Sequence, residues 1–237
     1  MGGPLSPKLT RLVLAAARFS GSRPPVACVE TGTFRGDSAV FFAAVFREVH
    51  SIELSEKYHR LAAERLRRFP HVHCHLGDSG EVLPRLLSRL EGALLVFLDA
   101  HWAGGDTAFG AEEVPLLREL RSLAQRRQPD IVVIDDIRLL GREGETGSDQ
   151  DPDYPVSRFD WRTVTREAME QILNQGLRNP WFVCSDRIFI FRNRHPWQGL
   201  LLRLGFGPVA KLYELFLRGR AMLRSGVGSA GSGRGSN

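Results

Sequence analysis

Carboxylate side chains follow five apolar runs of this sequence, each at the point where a β-strand would end. In chain order these residues are Glu30, Glu53, Asp78, Asp99 and the pair Asp135 and Asp136. Open α/β sheets bind their ligands beyond the carboxyl ends of the strands. So many negative charges at one edge favour a cationic ligand over a polyphosphate. Each acid could instead cap the next helix, and for Asp78 alone capping is the simpler explanation, but capping explains five consecutive strand ends poorly.

The stretch VETGTFRGDS at residues 29–38 places two glycines four positions apart. Gly32 would let the chain turn tightly, and Gly36 would let the backbone come close to a ligand. The spacing matches neither the dinucleotide-binding GxGxxG nor the phosphate-binding GxxxxGK[ST]. A pyrophosphate is therefore not the expected ligand, which argues against a nicotinamide-dependent oxidoreductase.

Histidines mark two further places where chemistry could occur. His101, just past the fourth predicted strand, could act as a base near neutral pH, and a structural or capping role is equally compatible with its position. Next to it, Trp102 could wall a pocket or simply pack, and the glycines of residues 103–108 suit a mobile loop or an ordinary turn. The alternating histidines of HVHCH (71–75) would share one face of an edge strand, where metal binding is the less favoured interpretation.

Alternating apolar runs and amphipathic stretches predict the elements that hold these side chains. Strands are expected at 25–30, 48–54, 71–78, 93–100 and 130–137, with helices at 6–19, 37–46, 55–69, 80–92, 112–128 and 161–175. This alternation indicates a parallel sheet with helices on both faces. The runs WFVCS and RIFIF (181–191) are too close for a crossover helix, so they must pair as an antiparallel hairpin. The predicted fold is an α/β domain with a seven-stranded, mostly parallel sheet closed by that hairpin.

In this order and spacing, VETGTFRGDS, SIELS, LGDS, VFLDAHW and VVIDDI resemble the class I S-adenosylmethionine-dependent methyltransferases over roughly residues 25–193. The stretch LDAHWAGGDTA looks most like small bacterial members. The pair FLDAHW and IDDI is also similar to metal-dependent O-methyltransferases of the catechol type. The resemblance implies a Rossmann-like methyltransferase fold that binds S-adenosylmethionine.

The resemblance also implies roles for individual residues. It places Glu30, Gly32, Thr33 and Gly36 around the methionine part of the cofactor, with Ser38 in the same stretch. Glu53 would hold the ribose, and Asp78 and Ser79 would lie beside the adenine. Asp99 would lie between the cofactor and the acceptor. In catechol-type enzymes the acids matching Asp99, Asp135 and Asp136 hold Mg²⁺. Two departures bear on the metal: an Asp stands where the third ligand is often Asn, and Ala100 shifts His101 by one position.

The function expected from these residues is methyl transfer from S-adenosylmethionine to a hydroxyl of a small molecule. His101 and Asp99 would be the catalytic residues, and Mg²⁺ could assist. The alternative keeps the fold without the chemistry, as a binding or scaffolding protein. Methyl transfer from labelled cofactor, abolished by substitution of the two catalytic residues, would separate these hypotheses.

Composition sets the broad class of the protein. The chain has 237 residues, 43% hydrophobic and 25% charged, which suits one soluble α/β domain with an appendage. Its three cysteines, Cys28, Cys74 and Cys184, are an odd number in apolar runs and indicate unpaired thiols in a reducing compartment. With neither a signal-peptide core nor a membrane-spanning run, the expected location is the cytoplasm.

The termini differ in character from the predicted domain at 25–193. We expect an N-terminal helix at 1–24, a basic amphipathic extension at 194–225 and a disordered tail at 226–237. Within the domain, the polar segment 141–160 is expected to be a lid or a disordered loop. From Arg192 onward eight basic residues face one acid, Glu214. The extension suits contact with a membrane surface, docking on the domain or a homodimer, and no pattern typical of nucleic-acid binding is present.

Overall fold

A computed structural model describes residues 5–101, 107–148, 155–174, 176 and 178–227. Its helices are α1 (Pro7–Phe19), α2 (Asp37–Ala43), α3 (Glu56–Leu66), α4 (Ser79–Leu87), α5 (Leu116–Ala124), α6 (Arg166–Leu173) and α7 (Pro196–Val227). Its strands are β1 (Ala27–Thr31), β2 (Glu48–Glu53), β3 (Val72–Leu76), β4 (Leu94–Leu98), β5 (Ile131–Ile134), β6 (Glu143–Thr146), β7 (Ser157–Asp160), β8 (Trp181–Cys184) and β9 (Arg187–Phe191). A short 3-10 helix covers Ile137–Leu139.

The main sheet has seven strands in the order β3-β2-β1-β4-β5-β9-β8. The first five run parallel, and β9 pairs antiparallel with both β5 and β8. Ser185 and Asp186 join β8 to β9 with φ of 55° and 61°, the left-handed conformation that a two-residue hairpin turn requires. The predicted sheet and its closing hairpin are confirmed.

Two apolar layers cover the sheet because β4 and β5 bury every side chain on both faces. On one face α4, α5 and α6 contribute residues such as Leu83, Leu120 and Met169. On the other face α1, α2 and α7 contribute Val13, Phe42 and Phe206. The strand order reverses between the neighbouring strands β1 and β4, so the chain leaves their ends toward opposite faces of the sheet, to α2 and to α5, and this leaves room for a cleft.

Side-chain caps set the beginnings of several helices. Ser55 accepts a hydrogen bond from the Tyr58 amide and starts α3. Thr165 accepts from the Ala168 amide at the start of α6. These caps fix where each helix leaves the strand before it, and therefore where strand-end residues point.

Segment 141–160, expected to be a loop, is partly strand. β6 and β7 form a separate antiparallel pair with Gly144 opposite Phe159. The buried ring of Phe159 anchors this hairpin against the domain. Residues 149–154 lie outside the described part of the chain. The sequence-based expectation failed here because polar residues dominate the segment and hide its single apolar anchor.

The basic extension forms one helix, α7, which runs to Val227, two residues into the predicted disordered tail. Phe206 packs edge-on against Phe182 and Phe191, with ring centroids 5.1 and 5.5 Å apart. The rest of the predicted tail, 228–237, lies outside the described residues. In the described part of the chain, no helix combines the length and apolarity needed to cross a membrane.

Candidate active site

A cleft of about 1250 Å³, including its open mouth, lies at the carboxyl ends of β1, β2, β3 and β4. One end is lined by residues that follow β2 and β3, among them Glu53, Tyr58 and Asp78. The other end is lined by Asp99, His101 and Asp136, under a wall from the β6–β7 hairpin. One cleft therefore connects most of the strand-end acids that the sequence singled out.

Glu53 lies half-buried where β2 ends. One carboxylate oxygen accepts from the Phe34 amide at 2.7 Å and the other from the Ser55 amide at 2.8 Å. Each oxygen of an ionised carboxylate has two lone-pair sites, so both can accept a further hydrogen bond from a ligand in the cleft. The two amides hold this side chain in one position before any ligand arrives.

Gly32 brings the end of β1 against the end of β4. Its φ is +81°, and an added Cβ would lie 2.5 Å from the Asp99 carbonyl oxygen. Gly36 also has a left-handed φ, +77°, and its Cβ would meet Leu66 and Ala62 of α3. Gly32 therefore lies against the residue after β4, and Gly36 lies against α3. Of the two glycines, only Gly32 lines the cleft.

Replacing Gly32 with alanine should therefore destabilise the fold by about 3 kcal/mol, through left-handed strain and a backbone clash. Chemical denaturation measures this loss. Gly92→Ala is the matched control, because Gly92 has φ +72° and nothing within 4 Å of its Cβ. The control should lose only the strain, about 1–2 kcal/mol. Equal losses for the two variants would mean that the contact with β4 costs nothing.

Glu30 lies beneath the cleft and not in its wall. Its side chain is 1% exposed, and the Ser51 hydroxyl donates to it at 2.6 Å. Burial raises the pKa of Glu30 to about 8, against the lowering effect of hydrogen bonds from Ser51 and Ser38. Thr33 continues this buried network through its hydroxyl, 2.6 Å from the Ser51 hydroxyl. Of the four residues expected around the methionine part of the cofactor, three do not line the cleft: Glu30, Thr33 and Gly36. Ser38 of the same stretch does not line it either.

Asp78 and Ser79 both line the cleft where β3 ends. The Asp78 carboxylate accepts from the Gly80 amide at 2.8 Å and caps α4. Its other oxygen accepts from the Ala111 amide at 3.3 Å. The sequence left open whether Asp78 caps a helix or belongs to the ligand site. In the structure Asp78 both caps α4 and lines the cleft.

Asp99, His101 and Asp136 form a compact group at the other end of the cleft. His101 Nε2 lies 3.3 Å from Asp136 Oδ2, and His101 Nδ1 lies 3.8 Å from Asp99 Oδ1. Burial lowers the pKa of His101, an effect that Asp136 partly offsets, so the ring favours its neutral form. The Trp161 ring stands edge-on to the imidazole at 5.3 Å between centroids. A neutral imidazole held by a carboxylate can accept a proton.

The predicted metal-ligand set is not assembled as expected, because Asp135 turns away to Arg187. Asp135 Oδ2 lies 2.8 Å from the Arg187 guanidinium, and both side chains are buried. The second Asp135 oxygen accepts from the Asp136 amide at 2.9 Å. His101 takes the place of Asp135 beside the other two acids: one ligand atom each from Asp99, His101 and Asp136 lies within 4.8 Å of the others.

Arg138 also competes for this group. Its guanidinium hydrogen bonds to both Asp136 and Asp186, and their negative charges raise its pKa against the effect of burial. Mg²⁺ prefers an octahedral set of oxygen ligands. Asp135 pairs with Arg187, Asp136 pairs with Arg138, and the third group is the imidazole of His101. These side chains therefore do not supply the oxygen ligands that Mg²⁺ prefers.

Several cleft residues were missed from the sequence, and Arg138, Phe159 and Trp161 are the ones nearest to the His101 group in chemistry and position. Arg138 follows the predicted fifth strand directly, so its position relative to IDDI was an available signal. Phe159 and Trp161 alternate with polar residues, which is the pattern of a half-buried strand. The segment after His101 was predicted to hold a pocket wall and a loop. Its residues 102–106 lie outside the described part of the chain, whereas Thr107 and Ala108 line the cleft.

The strand order and the cleft at its switch point define the class I methyltransferase fold. No protein-family model and no curated protein matches the chain. It is similar to the solved structure of a candidate O-methyltransferase from Klebsiella pneumoniae, with a TM-score of 0.51 and 15% identity over 82% of this chain and 84% of the other. It is also similar to an SAH-bound methyltransferase from Podospora anserina, with a TM-score of 0.50 and 16% identity over 82% and 80%. At these identities the likeness establishes a shared fold.

Proposed function

We propose that this protein is an S-adenosylmethionine-dependent methyltransferase that methylates a hydroxyl group of a small molecule. The observation that carries the proposal is one cleft, at the switch point of a methyltransferase fold, with Glu53 at one end and His101 beside Asp99 and Asp136 at the other. The similarity to methyltransferases of known structure, one of them SAH-bound, supports it.

The residues present suit the cofactor at the Glu53 end. Glu53 would hold the two ribose hydroxyls, and Asp78 with Ser79 would flank the adenine. Gly32 lines the cleft between these residues and Asp99. When bound, S-adenosylmethionine supplies a methyl group on a positively charged sulfur, a charge that suits a cleft rich in carboxylates.

At the other end, His101 would take the proton of the acceptor hydroxyl. Asp136, 3.3 Å from Nε2, would hold the ring in the tautomer that leaves Nδ1 able to accept a proton. Asp99, 3.8 Å from Nδ1, would lie beside the acceptor hydroxyl and the ring that takes its proton. Positioning of the two reactants in one cleft would supply much of the remaining rate.

The acceptor wall is largely apolar. The wall of the cleft near His101 includes Leu139 and the aromatic rings of Phe159 and Trp161. A small molecule with a flat or aromatic part beside its hydroxyl would pack against these rings, since offset and edge-on aromatic contacts are favourable.

Because the donor set does not fit Mg²⁺, methyl transfer should be unchanged by a chelator. The measurement is transfer of labelled methyl groups to a small-molecule extract, with EDTA and then with excess Mg²⁺. Loss of activity in EDTA, restored by Mg²⁺, would mean that ligands rearrange around an ion and that the proton-transfer role of His101 is wrong.

Replacing Glu53 with alanine should weaken SAH binding by about 10- to 100-fold, because hydrogen bonds to a charged group are lost. Isothermal titration calorimetry measures the affinity. Glu64→Ala, an exposed glutamate on α3, is the control and should bind as the parent protein does. Circular dichroism should show that both variants are folded. Unaltered binding by Glu53→Ala would remove the ribose role and the strongest support for the cofactor site.

A non-catalytic binding protein of the same fold remains the competing function. Such a protein would bind SAH yet transfer no methyl group to any fraction of an extract. Cofactor binding together with transfer that depends on His101 separates the two functions.

A further inference from the structure

The positive charge of this protein is concentrated in its two terminal segments. Residues 1–29 contain four basic residues and no acid, and residues 192–237 contain eight basic residues and one acid. Together these segments carry eleven more positive than negative charges, whereas the whole chain carries +5. The residues between them, including the cleft, are therefore net acidic. Two of the cations in the terminal segments, Arg192 and Arg194, are buried and do not contribute to a surface.

The fold brings α1 of the first segment and α7 of the second together on one side of the sheet. The Phe19 ring at the end of α1 lies so close to Gly205 of α7 that a Cβ there would be 2.9 Å away. The Trp197 ring lies equally close to Gly21, and Gln198 donates to the Ser22 hydroxyl at 3.2 Å. α1 and α7 thus form one continuous surface.

On α7 the face toward the domain and the face toward solvent are both apolar. Leu202, Phe206 and Ala210 recur every four residues and are at most 3% exposed. Leu204 and Leu212 lie on the opposite side of the helix and are 67% and 66% exposed. Two apolar faces on one helix mean that the second face is suited to a partner or to a lipid phase.

On α1 the outward face is basic. Arg11 and Arg18 are exposed, and Phe19, which follows Arg18, is 63% exposed. Leu9 and Val13 on the other side of the helix are buried in the core. Lys211 on α7 adds a further exposed cation next to Leu212.

We infer that this α1/α7 face, defined by Arg11, Arg18 and Phe19 of α1 with Leu204, Lys211 and Leu212 of α7, binds the surface of an anionic phospholipid bilayer. Exposed leucines and aromatic rings enter the headgroup boundary, and the surrounding cations pair with lipid phosphates. The helix lies in the plane of the interface. The inference is independent of the proposed methyl transfer.

Charge decides between this occupant and two others. In a symmetric dimer the same face would meet its own copy, so the cations of both copies would come together. A nucleic acid would satisfy the cations but leave Leu204 and Leu212 without apolar contacts. An anionic bilayer satisfies both sets of side chains.

Vesicle flotation with the full chain tests the inference. The protein should float with vesicles of phosphatidylcholine mixed with phosphatidylglycerol and stay behind with phosphatidylcholine alone, and added salt should weaken the binding. Leu204→Glu with Leu212→Glu should reduce binding at least about tenfold, and so should Arg11→Glu with Arg18→Glu. The second pair shows that α1 belongs to the surface.

The control is Leu61→Glu, a 52% exposed leucine on α3, which should leave flotation unchanged. All these side chains are exposed, so thermal unfolding and SAH affinity should match the parent protein in every variant. Equal binding to both vesicle types, binding to neither, or insensitivity to both double substitutions would overturn the inference. So would a dimer in light scattering that Leu204→Glu with Leu212→Glu dissociates.

Discussion

His101→Gln should lower the rate of methyl transfer by about 10²–10⁴-fold and leave the affinity for SAH unchanged. Glutamine keeps polar atoms near Asp136 but cannot take up a proton at neutral pH. His101 lies at the far end of the cleft from Glu53, so cofactor binding should not depend on it. The two measurements are labelled methyl transfer to an extract and calorimetric titration with SAH.

His73→Gln is the matched control, because His73 is an exposed histidine on the edge strand β3, outside the cleft. It should transfer methyl groups at the parent rate. If His101→Gln were equally active, the acceptor would need no base at this position, and the carboxylates beside it would be the next residues to test. If His101→Gln lost SAH affinity as well, its role would be structural.

Arg187→Met should lower the free energy of unfolding by about 3–5 kcal/mol, because it leaves the buried Asp135 carboxylate without its partner. Burial already raises the pKa of Asp135 to about 6, and Arg187 works against that rise. Without Arg187 the folded-state pKa must rise further above the unfolded value. The variant should therefore lose stability as pH rises and recover part of it in mild acid, where Asp135 takes up a proton.

Urea unfolding at several pH values measures both effects. Arg166→Met is the control, because Arg166 pairs with Glu170 on the surface of α6 and should change stability by less than about 1 kcal/mol. The double substitution Arg187→Met with Asp135→Leu should recover much of the loss, since apolar residues can replace a buried ion pair. A small, pH-independent loss in Arg187→Met would mean that Asp135 is solvated in the folded protein.

Arginine side chains compensate several of the acids in and beneath the cleft. Asp99, Asp135 and Asp136 lie close to the apolar ends of β4 and β5, where an isolated charge is costly. Arg187 compensates Asp135, and Arg138 compensates Asp136 and Asp186. Within the described residues no arginine hydrogen bonds to Asp99, and burial together with the charges of Asp135 and Asp136 raises its pKa well above the usual range.

The fold followed from local features of the sequence. The runs at β4 and β5 are apolar on both faces, which requires a layer of helices on each side. The link between β8 and β9 is too short for anything except a hairpin. The strand-end positions of Glu53, Asp78 and Asp99 followed as well, because the carboxyl ends of parallel strands meet at one edge.

What the sequence could not decide was the direction in which each acid points. β1 continues to Thr31, one residue beyond the predicted end, so Glu30 lies within the sheet opposite Ser51 and is buried. Asp135 and Asp136 are neighbours in the chain, yet one pairs with Arg187 and the other lies beside His101. Arg187 comes 52 residues after Asp135, and only the antiparallel pairing of β9 with β5 brings it near. Spacing along the chain predicts the edge at which such side chains gather, whereas partners from distant strands determine which of them face the cleft.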